Sequence, residues 1–90
     1  MAKYIINNGH MLKSETSISL HTLQNDVGGP IEPIILMGNR IMIVDEEGKM
    51  KQKEINRCAT LIANLDGIED VIAGTAVILT AETYHAFINS

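Results

Sequence analysis

The stretch Val27-Gly28-Gly29-Pro30-Ile31-Glu32-Pro33 decides the fold, because a helical pattern ends in it and a strand pattern begins. Apolar residues starting at Leu20 recur at i, i+3 and i+7 up to Val27, on one face of a helix that Ser19 can cap. Gly28 suits the position just after that helix, and the following glycine and proline stop its continuation. The stretch therefore predicts a short helix followed directly by a strand.

Two β-rich runs follow this junction. Ile31–Met37 and Arg40–Val44 are separated by Gly38-Asn39, a pair that favours a hairpin. Both runs are apolar at successive positions, as in strands that are covered on both faces. We expect helices on one side and a partner or second layer on the other. The acidic run Asp45-Glu46-Glu47 is interpreted as part of a solvated polar turn.

The chain before the first helix predicts a second hairpin. Tyr4-Ile5-Ile6 has the composition of a short strand, and Asn8-Gly9 tolerates the backbone angles of a tight turn. A second strand is expected within Met11–Ser19. The alternation of Ile18 and Leu20 with serines favours the later part of that range.

The C-terminal half predicts a helix, a strand and a short helix. An apolar stripe comprising Ile55, Cys58, Ala59, Ile62 and Leu65, with Leu61 beside it, indicates a helix over Glu54–Leu65 that Asp66-Gly67 ends. A buried strand is expected over Val71–Leu79. Thr80 can cap a last helix, Ala81–Ile88. On that helix Tyr84 and Phe87 either dock against the sheet or a neighbour, or stack on a base at a subunit interface.

The resulting order is β-β-α-β-β-α-β-α, within a single domain of residues 1–90. It predicts an α+β fold: a small mixed or antiparallel sheet of about five strands, packed with one main helix and two short helices.

Composition restricts the partners. The net charge of −4 argues against binding to a DNA or RNA polymer or to an anionic membrane surface. Apolar residues make up 46% of the chain and aromatics only 3%, with five methionines, so we expect a homo-oligomer that covers part of this surface. Cys58 is the single cysteine, which excludes an intramolecular disulfide and fits the cytoplasm, or the host cell cytoplasm if the protein is viral.

The reactive side chains are not spaced as in known catalytic or metal-binding motifs, so we expect that the protein is not an enzyme. His10, His21 and His85 are far apart, with no metal-ligand spacing. Asp45-Glu46-Glu47 matches no calcium-binding loop. Cys58 lies on an apolar stripe, where a buried inert thiol is expected. We therefore expect no metal, no cofactor and no catalytic residue.

The strongest candidate for ligand binding is the start of the main helix. Asn56, Arg57 and Thr60 lie in its first turns, and Lys53 stands four residues before Arg57. A helix N-terminus offers free N–H donors and a partial positive charge, to which a guanidinium adds a planar fork of donors. These four residues, with Arg40 in support, are the predicted contacts for phosphate or ribose. The alternative is a solvated helix face with a local cap.

Several short motifs resemble a known family. They lie in Ser19–Glu32, in Val44–Lys49, at Asn56, at Ala59-Thr60 and in Ile72–Thr75, and span about two-thirds of the chain. In these segments the sequence is similar to domain-of-unknown-function family 3846, small proteins of phages, plasmids and low-GC bacteria (Firmicutes). The family name carries no activity. The resemblance implies a small accessory protein, often from a mobile element.

This context suggests two classes of function. The first is an oligomeric module of a phage or mobile element that sequesters a nucleotide-derived immune signal, of cyclic oligonucleotide or cyclic ADP-ribose type, and so evades host defence. The alternative is a protein-binding inhibitor or structural accessory protein that acts through an apolar, Met-rich face.

Overall fold

In the computed structural model, which describes residues 2–89, the elements follow the predicted order. They are β1 (Lys3–Asn7), β2 (His10–Ser14), α1 (Leu20–Val27), β3 (Ile31–Leu36), β4 (Arg40–Asp45), α2 (Arg57–Leu65), β5 (Ala76–Thr80) and α3 (Ala81–Ile88). The α+β prediction is confirmed. None of the helices within the described residues is long and apolar enough to cross a membrane.

The five strands form one sheet in the order β2-β1-β5-β4-β3, and every neighbouring pair is antiparallel. The last strand in sequence, β5, lies at the centre between the two hairpins. Ile78 on β5 stands opposite Tyr4 on β1 and Met42 on β4. The edges of the sheet are therefore β2 and β3.

Helices cover both faces of this sheet. Alternate residues of β4 point to opposite sides, so Met42 and Val44 join the core beneath α2, while Ile41 and Ile43 join the core beneath α1 and α3. We call these two sides the α2 face and the α1/α3 face. The expectation of coverage on both faces is confirmed for β4, and both layers are helical. It is wrong for the run that forms β3, because this strand lies at the edge of the sheet, where Ile35 is 78% exposed. Tyr84 and Phe87 dock α3 on the α1/α3 face, as one of the two readings predicted.

The junction between α1 and β3 behaves as predicted. The Ser19 hydroxyl accepts the Thr22 N–H at 3.1 Å, and the Thr22 hydroxyl accepts the Ser19 N–H at 2.9 Å, which completes a capping box. Gly28 takes φ +82° after α1 and donates its N–H to Gln24 O at 2.7 Å. β3 then begins at Ile31.

The second strand lies earlier than expected. β2 occupies His10–Ser14 and not the later part of Met11–Ser19. The two-residue turn Asn8-Gly9, with Gly9 at φ +102°, places His10 opposite Asn7, so pairing begins at once. Ile18, whose alternation suggested a strand, packs instead against the core of the α1/α3 face.

Two boundaries in the C-terminal half also differ. α2 begins at Arg57 rather than Glu54, because Asn56 is its N-cap and Ile55 forms an isolated bridge with Ala73. β5 begins at Ala76 rather than Val71, since Gly74 at φ +89° breaks the extended run. α2 buries Ala59 and Ala63 against the sheet, whereas Leu65 of the predicted stripe and Leu61 beside it are exposed.

Candidate functional site

Asn56, predicted to contact a ligand, holds three parts of the fold together. Its side chain is only 2% exposed. The Oδ1 atom accepts the Ala59 N–H at 3.0 Å, which caps α2. The Nδ2 atom donates to Ile6 O at 2.8 Å and to Gly74 O at 2.9 Å. The amide is therefore engaged on all sides by α2, β1 and the loop before β5.

The two neighbours of Asn56 on α2 differ in exposure. The Thr60 hydroxyl accepts the Ile72 N–H at 2.9 Å, so it fixes the loop that runs beside α2. Arg57 is exposed on the first turn, and its backbone N–H donates to Asn8 Oδ1 at 3.2 Å. Arg57 is therefore the most exposed residue of this group.

Lys53 belongs to a separate group, which we call the lysine cluster: Asp45, Lys51 and Lys53. The Lys53 Nζ lies 2.6 Å from Asp45 Oδ2 and donates to Val27 O at 2.8 Å. The Lys51 Nζ lies 3.0 Å from the same carboxylate and donates to Gly28 O at 3.1 Å. Cations near the last carbonyls of a helix stabilise its C-terminus. The cluster therefore ties the end of α1 to the end of β4.

The interpretation of the acidic run Asp45-Glu46-Glu47 as a solvated turn is wrong for Asp45. It is the last residue of β4 and is buried. Burial alone would raise the pKa of its carboxyl group. Hydrogen bonds from Lys53, from the Glu47 N–H and from Lys51 outweigh burial and hold that pKa below its ordinary value. Gly29 makes room for the cluster, because a Cβ there would lie 2.5 Å from Asp45 Oδ1 and from Lys51 Nζ.

The space beside Asn56 is small and polar. A cavity of about 200 Å³ is lined there by Asn7, Asn8, Glu54 and Thr75, among others. The Glu54 carboxylate in its wall accepts a hydrogen bond from Asn8 Nδ2 at 3.4 Å. An anionic ligand at the start of α2 would meet this carboxylate at close range, which is electrostatically unfavourable.

Arg40 lies at the opposite end of the sheet. It stands opposite Thr80, the last residue of β5, whereas Asn56 bonds to Gly74 just before that strand. The four-residue step from Ala76 to Thr80 alone separates the two ends by about 13 Å. The Arg40 guanidinium donates to Asp66 Oδ2 at 3.0 Å and to Met37 O at 3.1 Å. The structure therefore does not gather the five predicted residues into one site.

Arg40 does line a cavity of about 370 Å³ on the α2 face. This volume lies within the range of small-molecule sites. The apolar part of the lining is Tyr4, Met11, Ile62 and Ile78, and the polar part includes Thr80 and Thr83. The strand register brings Tyr4, Met11 and Ile78 together as the floor of this cavity, because Tyr4 stands opposite Ile78 and Met11 stands opposite Ile6. Ile62 forms a wall from the flank of α2. We call this space the Arg40 cavity.

Sequence reasoning missed Tyr4 and Met11 as site residues. The only local signal was that Tyr4 and Ile6 share a face of β1, which did not show that β5 would lie alongside.

A second cavity of about 400 Å³, on the α1/α3 face, is lined by Ile35, Tyr84 and His85 and also reaches Arg40. Arg40 thus lies between two largely apolar spaces at one end of the sheet.

Other reactive side chains do not assemble into a centre. Within residues 2–89, no three His, Cys, Asp or Glu side chains come together in an arrangement that could hold a metal ion. Cys58 is half-buried and packs against the core of the α2 face. His21 lies 3.2 Å from Asn25 Nδ2, and the His85 ring lies edge-on to Tyr84.

Comparison with known proteins identifies the family. The model of the family described as "Domain of unknown function (DUF3846)" matches residues 1–89, and the chain therefore belongs to that family. No curated protein and no solved structure matches the chain. The family assignment agrees with the resemblance in the sequence motifs, and its description names no activity.

Proposed function

We propose that this family member is a non-enzymatic binding module that sequesters a small nucleotide-derived signal, of cyclic oligonucleotide or cyclic ADP-ribose type. The observation that carries the proposal is the Arg40 cavity, which joins an apolar floor to a guanidinium. The proposal includes a homo-oligomeric accessory protein, encoded by a phage or mobile element, that acts in the host cell cytoplasm against a defence pathway.

The lining suits a ligand with a planar apolar part and an anionic part. A nucleobase can pack against the Tyr4 ring, and base–aromatic stacking contributes about 1–3 kcal/mol. The thioether of Met11 and the side chain of Ile62 adapt to the remaining ring surface. These groups bind and orient a ligand through its shape.

Arg40 supplies the recognition of the anionic part. A guanidinium has five N–H donors, and its bonds to Asp66 and Met37 use two of them. The remaining donors can bind phosphate oxygens with the fork geometry that suits them. Asp66 holds the Arg40 side chain at the edge of the cavity, so little conformational freedom is lost when a ligand binds.

Isothermal titration against a panel of cyclic dinucleotides, cyclic trinucleotides and cyclic ADP-ribose isomers tests the proposal. At about 50 μM protein, at least one of them should bind with micromolar or better affinity. Arg40→Gln should weaken that binding about thirtyfold, whereas the matched control Arg57→Gln should leave it within about twofold. No heat from any compound would overturn the proposed function.

Two further outcomes locate the site. If Arg57→Gln abolishes binding and Arg40→Gln does not, the ligand lies at the start of α2 and not in the Arg40 cavity. Arg40→Lys keeps the charge but loses the fork, so its affinity should lie between those of wild type and Arg40→Gln. Equal unfolding midpoints for the variants show that the changes in affinity do not arise from misfolding.

A specific observation favours the alternative, a protein-binding inhibitor or structural accessory protein. Leu61 and Leu65 on α2 are exposed, and so is Met37, whose N–H bonds to Asp66 at the end of that helix. Exposed apolar side chains that cluster mark protein contacts. In a host-defence assay, Leu65→Glu should abolish the effect of a protein-binding inhibitor, whereas Arg40→Gln should abolish that of a signal-binding module.

A further inference from the structure

The two edges of the sheet differ in what they offer to another strand. On β3, Pro33 has no N–H and stands opposite Ile43, so this edge lacks a donor in its middle. β2 carries no proline, and its Met11 and Leu12 side chains are 51% and 59% exposed. β2 is therefore the edge that is open to pairing.

The hairpin decides which backbone groups of β2 point outward. The two-residue turn closes on the pair Asn7 and His10, which is hydrogen-bonded in such hairpins. Because hydrogen-bonded and non-hydrogen-bonded pairs alternate, His10, Leu12 and Ser14 direct their N–H and C=O groups to β1. Met11 and Lys13 direct theirs to the free edge.

We propose that the occupant of this edge is β2 of a second copy, paired antiparallel about a two-fold axis at Leu12. Met11 and Leu12 lie on opposite faces of one strand, since Met11 is opposite Ile6 and Leu12 is opposite Ile5. A partner docked on one face would cover only one of them, whereas a strand alongside covers both. An antiparallel edge is self-complementary, and Pro33 on β3 blocks further growth, so assembly closes at two copies.

Charge disfavours one of the registers that the outward backbone groups allow. An axis at Lys13 would place Lys13 directly opposite the partner's Lys13, and like charges opposite one another are destabilising. An axis at Leu12 places the two Leu12 side chains together on the α1/α3 face. It also sets Met11 opposite the partner's Lys13 on the α2 face, where the outward backbone groups of the two residues can exchange hydrogen bonds.

This pairing adds a residue to the binding site. A two-fold axis perpendicular to the sheet keeps the α2 faces of both copies on the same side, and Met11 lines the Arg40 cavity. The partner's Lys13 then stands beside Met11 and gives the cavity a second cation, at the side away from Arg40. This last step rests on the proposed function, whereas the dimer itself does not.

Sedimentation without any ligand tests the dimer. The wild type should have twice the 9.9 kDa mass of one chain at micromolar concentration. Leu12→Lys should weaken dimerisation about a hundredfold, because the new charge meets its own copy at the axis. The matched control Ile35→Lys, which changes a 78% exposed residue on the β3 edge, should leave the dimer intact.

Two variants test the edge and the register. Lys13→Pro removes an outward N–H and should yield a folded monomer, with β1–β2 pairing retained. Leu12→Cys should form a disulfide between copies under oxidising conditions, since Cα atoms about 4.5 Å apart in such a pair suit a disulfide. A monomeric wild type, or a dimer that survives both Leu12→Lys and Lys13→Pro, would overturn the inference. Neither result depends on whether a nucleotide binds.

Discussion

The two ends of the sheet use polar residues in opposite ways. At one end, Asn56 and the lysine cluster are surrounded by partners that satisfy their hydrogen bonds. At the other end, Arg40 stands at the edge of an apolar cavity with donors to spare. The difference shows that polar residues close together in sequence can serve to hold the fold together. The cavity that could bind a ligand is lined instead by strand residues such as Tyr4, which no sequence motif marks.

Most of the segments in which the sequence resembles the family lie at the first end. Gly28 and Gly29 leave room for Lys53 and for Asp45 with Lys51, and Gly74 leaves room for the Lys53 stem. A Cβ on Gly48 would lie 2.6 Å from Ala73 O. Because glycine has no Cβ, the turn after β4 can lie close to the loop before β5. These segments therefore come together around two groups of polar contacts, one at Asn56 and one in the lysine cluster.

Asn56→Ala should cause the largest loss of stability, about 3 kcal/mol in the free energy of unfolding. It removes the cap of α2 and leaves Ile6 O and Gly74 O without this donor. Urea denaturation measures the loss. Asn64→Ala, on the same helix, removes only exposed bonds to Ile68 O and Asp70 O and should cost below about 1 kcal/mol. Equal losses of unfolding free energy for the two variants would contradict the idea that the buried hydrogen bonds of Asn56 stabilise the fold more than the exposed ones of Asn64.

Asp45→Asn should cost about 2 kcal/mol at neutral pH, because two lysines lose the charge that holds them against α1. The matched control is Asp70→Asn, whose carboxylate pairs with Lys49 at an exposed site. Exposed pairs contribute little, so this change should cost below about 0.5 kcal/mol. A larger loss for Asp70→Asn than for Asp45→Asn in the same denaturation series would contradict the role of the lysine cluster.

The carboxylate of Asp45 also predicts that the free energy of unfolding depends on pH. The pKa of Asp45 is lower in the folded protein than its ordinary value of 3.8, so the unfolded chain takes up the proton first. The stabilisation is therefore complete above about pH 5 and is lost as the pH falls through the folded pKa. Unfolding free energies between pH 6 and pH 2 should fall less steeply for Asp45→Asn than for wild type. Some slope should remain, because the pKa values of Asp70 and Glu82 are also lowered.

Arg40→Gln should have the smallest effect on stability, below about 0.5 kcal/mol, because its pair with Asp66 is partly exposed. Its effect on ligand binding should be the largest of these variants. Denaturation and titration of the same preparation compare the two quantities. A loss of stability as large as that of Asn56→Ala would place Arg40 among the residues that build the fold.

Local patterns predicted the fold well where a signal was contained within a few residues. The N-cap at Ser19, the stop at Gly28 and the cap of α3 at Thr80 all involve neighbours in sequence, and all are present. The start of α2 was misplaced because the helical stripe continues through Ile55, which pairs instead with distant Ala73. The later placement of β2 failed for a similar reason, since Ile18 is buried by packing and not by strand pairing.

The candidate site was only partly predictable. Arg40 was named as a supporting residue, but its neighbours in the cavity come from β1, β2, β5 and α2. Their proximity depends on β5 inserting between the two hairpins, which no local signal specifies. Asn56 and Thr60 have the composition of a ligand site, and only the positions of Gly74 and Ile72 show what their side chains bind.

The sequence by itself determined the order of elements, both ends of α1 and α3, and the double coverage of β4, because these follow from spacing, capping and glycine conformations along a short segment. The tertiary structure alone decided the strand order, the burial of Asp45 and the location of the Arg40 cavity. Those depend on contacts between residues far apart in the chain, whose pairing is set by the packing of the whole sheet against its three helices.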